Sequence, residues 1–67
     1  MDTSILKDLL FDLFERFDEY YLIINDLKRL NSVGDISKEE YDYILENYDK
    51  WLDEWANKYY KGDKYND

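Results

Sequence analysis

The chain contains no proline, and apart from Gly62 near its C-terminus its one glycine is Gly34. Proline and glycine are the residues that most readily end a helix. On either side of Gly34, long stretches therefore contain nothing that forces the backbone to stop. Gly34 heads the run Gly-Asp-Ile-Ser-Lys-Glu-Glu-Tyr, which carries stop and start signals together. Gly34 can take the left-handed conformation that closes a helix. Ser37 is an N-cap residue with Glu40 three positions on, which is the capping box. Ile36 before the cap and Tyr41 at the fourth helical position fit a hydrophobic staple. The expected chain is one domain of two helical segments, over about 4–32 and 38–60, joined by a turn at 33–37.

Periodicity agrees. In the first segment Leu6, Leu9, Leu10, Leu13, Phe17, Tyr20, Ile24 and Leu27 recur at helical spacing and cover about a third of the wheel. In the second, Tyr41, Ile44, Leu45, Tyr48, Trp51, Leu52, Trp55, Ala56 and Tyr59 do the same, and they read as core. Gly62 is the expected stop, followed by a disordered tail over 62–67. The fold class is all-α. A short connection makes the segments antiparallel neighbours in a two-helix hairpin. Thr3 or Ser4 is the expected cap of the first.

The same run resembles the second half of an EF-hand calcium loop. Gly34, Ile36 and Glu40 match the family's glycine, hydrophobic and glutamate positions in that register. The register then puts Arg29, Asn31 and Val33 where the family places oxygen ligands. Only Asn31 has an oxygen to offer, and a calcium ion takes six to eight. The resemblance implies no calcium site here, and no metal or other cofactor is expected.

A chain of 67 residues builds a marginal core and often leans on a disulfide, a metal or a partner. Without Cys no disulfide can form, and with neither Cys nor His a structural zinc site is not expected, which leaves close helix packing or self-association. Phe11, Phe14, Tyr21 and Leu22 lie off the main stripe of the first segment and form a candidate apolar patch. Self-association as a homodimer, giving a four-helix bundle, is the simplest way to cover it.

The missing residue types also bear on catalysis. His is the commonest acid–base group and Cys a common nucleophile. A small hairpin has little concavity in which to desolvate a carboxylate pair. An enzyme is therefore not expected.

Charge points elsewhere. There are 17 acidic residues against 9 basic ones, a net charge of −8. Such a surface suits neither nucleic acid nor an anionic membrane, but it suits a basic protein surface. Glu39, Asp42, Glu46, Asp49 and Asp53 follow 3-4-3-4 spacing and fall within about 80° of one another, away from the Trp51 and Trp55 stripe. Asp8, Asp12, Glu15, Glu19 and Asp26 make a second row. Successive carboxylates stand about 4.5 to 6 Å apart along the axis. Phosphates in duplex DNA carry one charge per roughly 3.4 Å per strand. Like charges at this spacing cost a helix a few tenths of a kcal/mol per pair. A solvated face could hold lysines equally well, so a purely acidic row suggests a use.

Phe, Tyr, Ile, Asn and Lys are abundant while Ala, Arg, Gly and Pro are scarce, which is the bias of a low-GC genome. In size, charge and composition the chain resembles the small acidic proteins that phages use against restriction systems, CRISPR nucleases or host DNA-binding proteins. The expectation is a DNA-mimicking inhibitor acting in the cytoplasm, that of the host if phage-encoded. It would dock on the basic surface of a nucleic-acid-binding protein. The alternative is a helical adaptor that binds through the apolar patch, with acidity serving solubility only. No secretory signal or membrane-spanning run is visible.

Overall fold

The computed structural model describes residues 2–59. Every regular element among them is a helix: α1 (Thr3–Arg16), α2 (Tyr20–Ser32), α3 (Lys38–Glu46) and α4 (Tyr48–Tyr59). Each of the two expected segments is thus divided, the first at Phe17–Glu19 and the second at Asn47. The expected stop at Gly62 and the tail after it lie outside the described residues.

The turn forms as its residues dictate. Ser37 Oγ accepts from the Glu40 N–H, and Glu40 Oε1 accepts from the Ser37 N–H at 2.7 Å, which completes the capping box. Gly34 has φ +87, the one positive φ among the described residues. The side-chain amide of Asn31 donates to the Ile36 carbonyl at 3.1 Å and ties the end of α2 to the turn. Ile36 is buried, and Tyr41 packs against the same cluster. At the N-terminus the cap is Asp2, whose carboxylate accepts from the Ser4 N–H at 3.0 Å, one residue before the expected Thr3 or Ser4.

The break at Phe17–Glu19 has a geometric cause. In α1 the buried residues are Leu6, Leu10, Leu13 and Phe14; in α2 they are Ile23 and Leu27. On one continuous wheel these two sets are centred about 100° apart. A single helix cannot turn both toward the same core. Phe17 leaves the helix with φ −126 and ψ 138, and α2 restarts from Glu19 in a new phase. Tyr20, expected in the stripe, is consequently exposed, and Ile23 takes the buried place expected for Ile24.

Asn47 interrupts the second arm more gently. Its side-chain amide donates to the Tyr43 carbonyl at 2.8 Å, the acceptor its own backbone N–H also approaches. Asn side chains compete in this way for helix carbonyls. Phase survives the interruption: Ile44, Tyr48, Trp51 and Trp55 are all buried and fall on one side of the wheel.

Packing joins these pieces into one cluster. α1 lies against α4 and α3, and α2 lies against α3, so both arms contribute to a core floored by aromatic rings. Lys7 on α1 is ion-paired with Glu54 on α4.

The capped turn sets how the arms meet, so Ser37→Ala should cost about 1 kcal/mol in chemical denaturation. Gly34→Val should cost more. Nothing lies within 4 Å of a Cβ placed at position 34, so the penalty there comes from the positive φ.

Candidate functional site

The acidic row of the second arm survives as an outward-facing series. Glu39, Asp42 and Glu46 on α3 and Asp49 and Asp53 on α4 are all exposed. They stand roughly 130–170° around their helices from the buried residues. Among the described residues one cation reaches this row. Lys38 Nζ binds Asp42 Oδ1 at 2.7 Å, which neutralises the second member of the row. Sequence spacing alone had left lysine out of the row, but Lys38 precedes Asp42 by one helical turn and reaches along the surface.

The first-arm row is shorter than expected. Asp8, Asp12 and Glu15 are exposed on α1, with Asp12 bound to Arg16 at 2.9 Å. Glu19 lies in the break, where its carbonyl accepts from the Ile23 N–H at 3.3 Å. Asp26 belongs to α2, in the shifted phase. Its side chain is only 18% exposed and binds Arg29 at 2.9 Å. On α1 the remaining carboxylates stand about 180° from the buried face. Since α1 and α4 pack against each other through those buried faces, the two rows lie on opposite flanks of the protein. The ten carboxylates therefore do not form one surface. Among the described residues no group of three or more carboxylates is arranged to hold a metal ion.

The apolar patch needs a correction. Phe14 is buried, 6% exposed, with its ring 5.4 Å from Tyr48 and 5.5 Å from Trp55. Phe11 is half-buried against the core, with Lys7 Nζ 5.9 Å above its ring. Leu22 is half-buried on α2, and Tyr21 alone of the four is exposed. Phe14 is a core residue because α1 faces two helices at once, α3 and α4, and so buries a wider arc than a hairpin arm with one neighbour.

One concave feature was not anticipated. The break between α1 and α2 opens a cavity of about 340 Å³ against α4. Phe14, Tyr48 and Trp55 line its buried side, and Phe17, Ile23 and Leu52 complete the apolar wall. Tyr20 and Asp18 stand at its exposed side. The sequence held a signal for it in Phe17-Asp18-Glu19-Tyr20-Tyr21, where two acids interrupt a run of rings. A continuous stripe absorbed Phe17 and Tyr20 and hid that signal.

Burial raises the pKa of the Tyr48 hydroxyl above the usual tyrosine value, with the neighbouring Tyr20 and Asp49 adding to the effect. Aromatic packing and charge meet at this residue.

No protein-family model matches the chain, and no curated protein or solved structure gives a significant match. No helix among the described residues is long and apolar enough to cross a membrane.

Two outcomes follow from this geometry. Phe14→Glu should unfold the protein, because it places a charge in the core, whereas Tyr21→Glu should leave the circular dichroism spectrum unchanged. For Tyr48, the raised folded-state pKa means the native protein holds this proton more tightly than the unfolded chain does. That contribution is complete below the unfolded value of about 10 and is lost as pH rises through the folded value. Urea midpoints should therefore fall above about pH 10, and less steeply in Tyr48→Phe.

Proposed function

We propose that this protein is a small acidic inhibitor, of the phage type, that binds a nucleic-acid-binding protein and occupies the surface where phosphates would lie. The observation that carries this reading is the outward row of α3 and α4. Glu39, Glu46, Asp49 and Asp53 are exposed, and among the described residues no ion pair involves them. Unpaired carboxylates at near-phosphate spacing are available to lysines and arginines that otherwise hold a DNA backbone. The flank of α1 carries a shorter row on the other side. One partner surface would meet one flank, and the α3–α4 flank is the longer and less neutralised of the two.

The adaptor reading has a smaller patch to draw on, since Phe14 is buried in the core. Self-association into a four-helix bundle likewise has less exposed apolar surface to cover than the sequence suggested. Both remain alternatives that rest on Phe11, Tyr21 and Leu22. Such a protein would work in a cytoplasm, where its targets bind DNA, and it needs neither cofactor nor catalysis.

Asp42 is held by Lys38, so the informative charge reversal is Glu46→Lys, Asp49→Lys and Asp53→Lys. All three are exposed, and the fold should persist. Asp49 lies in the first turn of α4, where reversal costs about 0.3–1 kcal/mol against the helix dipole. Wild-type protein used as bait in a low-GC bacterial lysate should capture DNA-binding proteins at low salt, release them at high salt and compete with DNA for them. The triple variant should capture none of them. If it retains the same partners in high salt, the acidic row is a solvated face and the apolar reading takes its place.

A further inference from the structure

The cavity at the α1–α2 break has the chemistry of a receptor for an organic cation. Its walls are rings set at steep angles to one another. Tyr48 stands at 83° to Phe14, with centroids 5.4 Å apart, and at 85° to Tyr20, with centroids 4.9 Å apart. Both pairs are in edge-to-face contact, so the cavity is walled by rings that brace one another, and Trp55, 5.5 Å from Phe14, lies at its floor. Ring faces attract cations, and Trp and Tyr do so best. The floor is dry: Phe14, Tyr48 and Trp55 are each no more than 8% exposed. The rim is open, with Tyr20 58% exposed. A carboxylate, Asp18, stands at that rim. The protein's own cations lie elsewhere. Lys7, Lys38 and Lys58 cover Phe11, Tyr41 and Tyr59, none of which lines this cavity.

We propose that this aromatic box, with Asp18 at its mouth, receives an arginine side chain of the basic protein partner. Guanidinium fits better than ammonium for two reasons. It is planar and weakly hydrated, so it stacks on rings at small desolvation cost, and its fork of donors matches a single carboxylate. A cavity of about 340 Å³ has room for one such side chain. The inference rests on the reading of the partner as basic. It adds a specific, salt-resistant contact to a surface whose other contacts are screened by salt. The box and the α3–α4 row share α4, where Leu52 of the box stands about 60° around the helix from Asp49 of the row.

The test is a titration of the isotopically labelled full chain at constant ionic strength. The probe is N-acetyl-arginine amide, with N-acetyl-lysine amide and tetramethylammonium as comparisons. Arginine should give saturable shifts at the Trp55 indole N–H and at Tyr20 and Leu52. The Trp51 indole, which packs against Tyr43 at 5.9 Å and does not line the cavity, should stay still. Asp18→Asn should weaken the site about ten-fold, as expected for loss of a charge-assisted pair. Tyr20→Ala, a change at an exposed ring, should weaken it as well. The inference is overturned if shifts grow linearly and spread over the carboxylate rows, if Asp18→Asn binds as wild type does, or if lysine and tetramethylammonium bind as tightly as arginine. The Glu46→Lys, Asp49→Lys, Asp53→Lys protein separates the two proposals. Loss of its partners without any saturable arginine site in wild type removes the box alone. A saturable site alongside partner binding indifferent to the reversal removes the phosphate-mimic reading, and with it the assignment of the box to a basic partner.

Discussion

The rotation of about 100° between the faces that α1 and α2 bury is the constraint on which the rest depends. Leu6, Leu10, Leu13 and Phe14 must face the core, and so must Ile23 and Leu27. An unbroken helix would leave one set in water. Losing the burial of even two large aliphatic side chains costs about 3–6 kcal/mol, a large share of the stability of a domain this small. Giving up helical bonds over Phe17–Glu19 costs less. Once the helix breaks there, several consequences follow together. Phe14 is enclosed by α4, Tyr20 is turned outward, Asp26 leaves the line of Asp8, Asp12 and Glu15, and a cavity opens under Asp18.

The second arm answers a different demand. Its aromatic residues keep one phase from Ile44 to Trp55, so Asn47 can loosen the backbone without turning the face. That continuity keeps Glu46 beside Asp49 and Asp53 on the outer side. A row of like charges strains a helix slightly. Here the strain is offset by aromatic burial on the opposite side, where Tyr48, Trp51 and Trp55 each cover a large area. The arrangement of charge thus depends on the arrangement of rings.

Local signals were legible in the sequence and long-range ones were not. Gly34, Ser37 and Glu40 specify the turn through bonds within a few residues, and that chemistry needs no knowledge of the rest of the fold. Most of the core of the second arm was legible because one phase holds from Ile44 to Trp55, but Leu52 and Tyr59, expected in the same stripe, are exposed. The break at Phe17–Glu19 was not legible, because no glycine or proline marks it and the cause lies in which neighbour each half meets. A stripe drawn through Phe17, Tyr20 and Ile24 looks sound on a single wheel. It fails because α3 and α4 approach from directions that a wheel does not record. The same blindness placed Phe14 in a surface patch and Asp26 in an outer row. Lys38 was missed for a simpler reason, since a long flexible side chain reaches beyond the angle its Cα occupies.

A surface of carboxylates alone discriminates poorly among basic proteins, because any cationic groove satisfies it and salt weakens every contact alike. Specificity needs a feature that most such grooves fail to match. A dry box of rings with a single acid at its mouth is such a feature, because a cation entering it must shed water and must have the right shape. Its floor rings, Phe14, Tyr48 and Trp55, belong to the core, so the box is held rigid by the same packing that stabilises the fold. If the proposed box receives an arginine, the break that the core demands also provides a means of selecting a partner. The exposed rows would set how fast a basic partner arrives, and the box would set which one stays.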